Sequence, residues 1–100
     1  MEKLTLSEFK DSLREEQLGD ELPVQLKSLW YDGKGDWQRA HAEVDQLGDK
    51  MSAWVHAYLH RKEGDVWNAD YWYRQAGETR PAVSLEAEWE ALVSQFLSKI

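Results

Sequence analysis

Two histidines stand at a spacing that could do chemistry. His56 and His60 lie four positions apart, and on a helix this spacing places both imidazoles on one face, as in a two-histidine metal pair. A zinc site needs further ligands, and the chain has no cysteine and no HExxH motif to supply them. The sequence alone therefore predicts neither a metal nor a cofactor.

Three roles stay open for these two histidines. They could pack between helices, or they could contact a binding partner. They could also join His41 in a small-ligand or metal site, with Glu63 or Asp70 close by in three dimensions. A ligand or metal site of this kind is the alternative function that the sequence offers.

Two aromatic residues further along the chain form a second candidate site. Trp67 and Tyr71 are also four positions apart, and on a helix they share its polar side with Arg74. Exposed aromatic side chains beside hydrogen-bonding groups suit peptide recognition, because they supply contact area at low entropic cost. The alternative is that the last helix or the loop over residues 78–82 covers them. The predicted binding residues are Trp67, Tyr71, Arg74, His56 and His60.

Composition and motifs exclude several functional classes. The chain carries 19 acidic and 12 basic residues, for a net charge of -7, so its average field repels nucleic acids and anionic membrane surfaces. No serine lies in a nucleophile elbow, and the sequence has no glycine-rich phosphate loop or paired-carboxylate motif. We therefore predict that the protein is not an enzyme and binds neither nucleic acid nor membranes.

The sequence also lacks the features that mark export. A chain without cysteine forms no disulfide, which fits a reducing compartment. Its start carries no apolar signal segment, and no apolar run approaches the roughly 18 to 20 residues of a membrane span. These features predict a cytoplasmic protein.

The elements that must position the candidate residues are helices. Apolar residues recur three and four positions apart throughout, strand patterns are nearly absent, and 100 residues suffice for one core. We therefore predict a single all-α domain over residues 1–100, with about six helices. The first helix begins at a capping box formed by Thr5 and Glu8, and a Gly19-Asp20 break separates it from the second.

Proline, aspartate and glycine mark the ends of the next helices. Pro23 suits the first position of the second helix. Asp36 is expected to cap the third helix, and Gly48 is placed to end it. The fourth and fifth helices are predicted over about residues 50–63 and 66–76.

The last helix has the clearest apolar stripe of the chain. Ser84 opens it, and it is predicted over about residues 84–100. Its inward face is predicted to consist of Leu85, Trp89, Leu92, Val93, Phe96, Leu97 and Ile100. Glu86, Glu88 and Glu90 are expected on the solvated opposite face, where they also suit the helix dipole. This pattern predicts a helix that covers an otherwise exposed core.

An internal repeat links the four middle helices. A shift of 29 positions aligns the Gly-Asp pair at 35–36 with that at 64–65, and Ala40 with Ala69. In each copy the glycine is expected to end one helix and the aspartate to cap the next, while the alanine permits close helix approach. The repeat therefore predicts two similar helical hairpins.

These features resemble the tetratricopeptide repeat, in which an alanine follows five residues after the glycine of a Gly-Asp turn and another stands seven further on. Gly64, Ala69 and Ala76 have this spacing. The resemblance implies two stacked hairpins, over about residues 22–48 and 50–77, with the first and last helices as caps. The period of 29 is shorter than the family's 34.

Helical repeats of this kind suggest binding as the function. We predict a non-catalytic interaction or assembly module whose partner is a protein or peptide. Because two-hairpin arrays readily associate to bury their ends, a homodimer is the alternative assembly. The stretches around Trp37 and Tyr58 are also similar to an uncharacterised family of small bacterial proteins, a likeness that implies no activity.

Overall fold

Six helices make up the computed structural model, which describes residues 4–16 and 22–99. They are α1 (Leu6–Ser12), α2 (Val24–Gly33), α3 (Trp37–Val44), α4 (Lys50–Lys62), α5 (Val66–Gln75) and α6 (Leu85–Leu97). No strand occurs in these described ranges, so the predicted all-α fold is confirmed. The predicted Gly19-Asp20 break and Ile100 lie outside them. None of the six helices combines the length and apolar character needed to cross a bilayer.

Side chains cap the starts of five of the six described helices. Thr5 forms the predicted capping box, because its Oγ1 accepts from the backbone N–H of Glu8 at 3.1 Å and its own N–H donates to Glu8 Oε1 at 2.9 Å. The other caps are Asp36, Asp49, Asp65 and Ser84. Only α2 starts without one. Pro23 precedes α2 and does not open its first turn as predicted, since its ψ of 154° is extended.

The α2–α3 and α4–α5 junctions share one backbone conformation. Gly35 and Gly64 have φ angles of 84° and 88°, in the left-handed region that strains any residue with a Cβ. After Gly35 the backbone N–H of Asp36 donates to the carbonyl of Tyr31 at 2.9 Å, and the equivalent bond follows Gly64 at the same distance. Both junctions are therefore Schellman motifs, as the repeated Gly-Asp pair predicts.

The end of α3 differs from the prediction. The helix stops at Val44, so the expectation that Gly48 ends it is wrong. Val44 is fully buried, whereas Asp45 and Gln46 after it are exposed. Because these two side chains do not enter the core, a further helical turn would gain burial only from Leu47, which is partly buried after the helix has ended.

The four middle helices form two packed pairs. α2 packs chiefly against α3, and α4 chiefly against α5, while α3 also contacts α4. Ala40 and Ala69, the aligned alanines of the repeat, are both fully buried. Their small side chains allow the close helix contacts that the repeat predicts.

α6 lies against both α2 and α4 and also packs on α1. The Trp89 ring of α6 is 5.9 Å from the Phe9 ring, and its Nε1 donates to the carbonyl of Leu29 at 2.9 Å. The buried residues of the predicted stripe are Trp89, Leu92, Val93, Phe96 and Leu97. As predicted, the last helix covers part of the core. It lies on the side of the two helix pairs that α2 and α4 form.

Glu88 departs from the predicted solvated face of α6. Its side chain is buried, and its carboxylate accepts hydrogen bonds from the Tyr73 hydroxyl at 2.5 Å and from Arg61 at 2.6 Å. The prediction was wrong because the surroundings of Glu88 come from α4 and α5, which the pattern of α6 alone does not reveal. Glu86 is exposed and Glu90 partly exposed.

Candidate functional site

All three histidines of the chain meet between α3 and α4. His41 of α3 places its Nε2 3.0 Å from Nε2 of His56 of α4. His60 follows one turn later on α4, and one ring nitrogen of each histidine lies within 4.8 Å of the others. We call these three residues the histidine cluster. The tertiary structure thus brings His41 to the pair whose helical spacing is visible in the sequence.

Two tryptophans enclose the histidine cluster. Trp37, one turn before His41 on α3, stacks on its imidazole with ring centroids 4.9 Å apart, and its Nε1 donates to the carbonyl of Leu59 at 2.8 Å. On the other side Trp72 of α5 stacks on His56 at 4.1 Å. Residues of three helices therefore fix the orientation of the rings.

The central histidine of the cluster is neutral at physiological pH. His56 is only 3% exposed. This burial, together with the neighbouring His41 and His60, lowers its pKa to about 4 against an opposing effect of Asp45. Its ring therefore carries a lone pair and no charge. Within the described part of the chain, the buried Nδ1 of His56 has no hydrogen-bond partner.

Carboxylates flank the cluster at its third histidine. His60 Nδ1 lies 3.0 Å from Oε1 of Glu63 and 3.9 Å from Oδ2 of Asp65. A proton on Nδ1 shared with Glu63 leaves Nε2 of the same ring with the lone pair. Asp70, the other carboxylate considered from the sequence, instead pairs with Arg80 at 3.0 Å.

The cluster can act chemically in two ways. As it stands, one Nε2 of the His41 and His56 pair donates to the other. The His56 ring stacks on Trp72 and His60, and the His41 ring meets His56 and His60 edge-on. Alternatively, the three nitrogens converge on an ion, for which neutral imidazole is the commonest protein ligand. The first is a structural role, and the second is a binding function.

The exposed side of α5 is the second site. Trp67 is 76% exposed and Tyr71 40%, and Arg74 is exposed one turn further on. We call these three residues the aromatic face. Neither α6 nor the loop over residues 78–82 buries them, so the alternative of an internal cover is wrong for Trp67.

The five predicted binding residues do not share one surface. The His56 ring stacks on Trp72, and Tyr71 meets Trp72 only edge-on with ring centroids 5.1 Å apart. The prediction of His56 as part of an exposed binding surface is wrong, because α4 turns this residue toward α3 and α5. His60 is partly buried beside it and belongs to the histidine cluster.

Sequence reasoning gives no functional role to Trp37 or Trp72, although both hold the histidine cluster. The signal for Trp37 is its four-residue distance from His41, the same spacing that places His56 and His60 on one face. Trp72 carries no such signal, because it reaches His56 from a different helix. Only the packing of α5 on α4 reveals it.

Comparison with known proteins adds no assignment. The resemblance to tetratricopeptide repeats stays a prediction from the chain's own residues, and a function has to follow from the histidine cluster and the aromatic face. The chain matches no protein-family model, no curated protein and no solved structure.

Proposed function

We propose that this chain is a non-catalytic helical interaction module that binds a protein or peptide through the aromatic face. The observation that carries the proposal is Trp67, whose ring is 76% exposed, whereas the other tryptophans are buried or half-buried. Burial of a large, exposed apolar ring against a partner removes its surface from water, which favours binding. Tryptophan is also enriched among the anchor residues of protein interfaces.

Tyr71 and Arg74 add directional contacts to this anchor. Positions 67, 71 and 74 lie on one side of a helix, and tryptophan, tyrosine and arginine are the residue types most enriched at interface hot spots. Among residues 4–16 and 22–99, Arg74 has no ion-pair partner. Its guanidinium can donate to a carboxylate or a backbone carbonyl. The expected partner therefore presents an apolar side chain next to such an acceptor.

The arrangement of the other helices favours the outer side of α5 as the binding surface. α6 lies against α2 and α4 and closes that side of the two pairs, whereas the outer side of α5 is open at Trp67. Tetratricopeptide-like hairpins are part of the proposal, and the matching junctions at Gly35 and Gly64 support them. A cytoplasmic location is also part of it, because a chain without cysteine suits a reducing compartment.

Selection from a random peptide library displayed on phage tests the proposal. The unaltered protein is expected to enrich peptides that combine an apolar residue with an acidic one, and Trp67→Ala/Tyr71→Ala is expected to enrich none. Arg74→Gln should retain the apolar preference and lose the acidic one. Val83→Ala changes an exposed apolar side chain elsewhere and is the matched control.

Two outcomes of this selection would end the proposal. One is equal enrichment by the unaltered protein and the Trp67→Ala/Tyr71→Ala variant. The other is a much lower melting temperature of that variant, which would show that the two residues serve the core. A second copy of the chain is the competing occupant. Sedimentation over a concentration series identifies it if a dimer forms and disappears in the same variant.

A further inference from the structure

We infer that the histidine cluster binds a divalent transition-metal ion of the zinc class, with one ring nitrogen each from His41, His56 and His60 as ligands. Three imidazoles suit zinc, cobalt, nickel or copper(II), whereas calcium and magnesium take oxygen ligands. The site shares no residue with the aromatic face. The two proposals can therefore fail separately.

The packing of the helices does not by itself require histidine at these positions. His41 and His56 are 15 residues apart in the chain and come from different helices. The residue aligned with His41 in the other copy of the repeat is Asp70, which pairs with Arg80 on the surface. Because the repeat accommodates a different residue there, the convergence of all three histidines points to a ligand.

The spacing of the ring nitrogens is close to that of a metal site. Zinc–nitrogen bonds of about 2.0 to 2.1 Å place two ligand nitrogens of a tetrahedral site about 3.3 Å apart. The Nε2 atoms of His41 and His56 are 3.0 Å apart. One ring nitrogen of His60 lies within 4.8 Å of a ring nitrogen of each of the other two histidines, so an approach of at most about 1.5 Å by the His60 ring gives ligand spacing. Three protein ligands leave a fourth position for water or another donor.

Without an ion, the contact between the Nε2 atoms of His41 and His56 requires one ring to carry its proton on Nε2 and the other to carry it on Nδ1. One nitrogen of His56 faces a second imidazole nitrogen, and the other, its buried Nδ1, has no partner among the described residues. An ion held by the two Nε2 atoms removes the need for these neutral rings to share one proton. The proton of His56 then lies on Nδ1, whose lack of a partner the ion does not change.

Glu63 holds His60 in the manner of an outer carboxylate of a metal site. The 3.0 Å contact between Glu63 Oε1 and His60 Nδ1 fixes the ring and its tautomer, so that Nε2 remains available for an ion. Trp37 and Trp72, stacked on two of the proposed ligands, shield the site on two sides. Their indoles also give a fluorescence signal that open-shell ions such as copper(II) should quench.

Calorimetric titration of the untagged protein with zinc(II) is the primary test. We expect one ion per chain, and a melting temperature raised by about 10 to 20 °C at zinc concentrations a hundredfold above the Kd. The visible absorption bands of bound cobalt(II) should show a low coordination number, with nitrogen atoms among the ligands. His41→Gln and His60→Gln, at partly exposed positions, are each expected to weaken binding by about 100-fold or more.

Glu63→Gln separates this site from a competing one. His60, Glu63 and Asp65 also bring ligand atoms within 4.8 Å of one another. If the histidine cluster binds the ion, Glu63→Gln weakens binding by about 10- to 100-fold and His41→Gln weakens it further. Unchanged binding in His41→Gln, with complete loss in Glu63→Gln, assigns the ion to the carboxylates and overturns the inference.

A measurement on the unaltered protein keeps the test independent of variant folding. Long-range proton–nitrogen NMR spectra resolve the imidazole nitrogens of the three histidines. One equivalent of zinc(II) is expected to shift a ring nitrogen of each histidine. Absence of these shifts, or no binding tighter than about 1 mM, shows that the cluster is only a packed aromatic layer.

Discussion

Asp32 and Glu88 are carboxylates buried among polar side chains. Asp32 accepts hydrogen bonds from the Tyr58 hydroxyl at 2.9 Å and Lys62 Nζ at 2.8 Å, and Glu88 is held by Tyr73 in the same way. Burial and the adjacent carboxylate raise the pKa of each tyrosine above its ordinary value, so both hydroxyls stay donors. A buried charge is tolerated only when it is paired and hydrogen-bonded. Each partner of these carboxylates should therefore matter for stability.

Arg61→Met tests this requirement at Glu88. Removing the cation leaves a buried carboxylate without its charge partner, and we expect a loss of about 3 to 5 kcal/mol in the free energy of unfolding. Urea denaturation followed by circular dichroism measures it. Arg74→Met, at an exposed arginine, should change stability by less than about 0.5 kcal/mol. Equal losses in the two variants would show that the Arg61–Glu88 pair contributes nothing particular.

The neutral state of His56 predicts a pH dependence of the metal-free protein. Because its folded pKa of about 4 lies below the ordinary value of about 6.5, the unfolded chain binds the proton first as the pH falls. The contribution of His56 to the free energy of unfolding is fully present above pH 6.5. It is lost between about pH 6.5 and 4, by on the order of 3 kcal/mol. Denaturation curves recorded at several pH values, with a chelator present to keep the protein metal-free, measure this loss of unfolding free energy. The loss should be much smaller in His56→Phe. Parallel profiles of the two proteins would contradict the prediction.

At the scale of helices, the junctions of the repeat depend on two glycines in the left-handed conformation. Gly35 and Gly64 each precede an aspartate that caps the following helix, so one Gly-Asp pair ends one helix and starts the next. Gly48 has no positive φ and belongs to an ordinary loop. The same residue type therefore has different energetic roles at these positions.

Gly64→Ala and Gly48→Ala separate these roles. At Gly64 the φ of 88° is unfavourable for alanine, and we expect a loss of about 1 to 2 kcal/mol. Gly48→Ala has open space around the new methyl group and is expected to be neutral or to stabilise by up to about 1 kcal/mol, because alanine restricts the unfolded chain. Thermal denaturation of both variants provides the comparison. The junction argument fails if Gly48→Ala is the more destabilised protein.

At the scale of the whole molecule, one main core connects α1, α2, α3, α4 and α6. Phe9, Leu29, Val44, Leu59 and Leu92 belong to the same buried cluster. A smaller cluster joins α4 to α5. The chain is therefore not a string of repeats that each contact only their neighbours, because α6 unites both pairs from one side.

Removal of α6 should consequently abolish cooperative folding. A chain ending at residue 83 exposes the α2 and α4 side that Trp89 and Leu92 cover, and we expect no cooperative thermal transition. A full-length chain with Ser94→Ala and Gln95→Ala, at exposed positions of α6, should unfold as the unaltered protein does. A shortened chain with a sharp transition would indicate that the two pairs form an independent repeat unit.

Sequence reasoning succeeded where the physical cause is local. Thr5, Asp36 and Ser84 each cap a backbone N–H three residues away, so their role is visible within one turn of sequence. It failed at Gly48, because the end of α3 depends on which side chains reach the core. The sequence placed Trp67 on the polar side of its helix and left open whether another element covers it, and the structure shows it exposed.

By itself, the sequence determined the six helices, the caps at Thr5, Asp36, Asp65 and Ser84, and the repeated junctions, since side-chain to backbone contacts over three or four residues decide them. Tertiary structure alone decided the surroundings of polar side chains that several helices share. Glu88 meets Arg61 across 27 residues and His41 meets His56 across 15. Such contacts depend on how helices pack, and neither composition nor helical periodicity records which residues of two different helices will face each other.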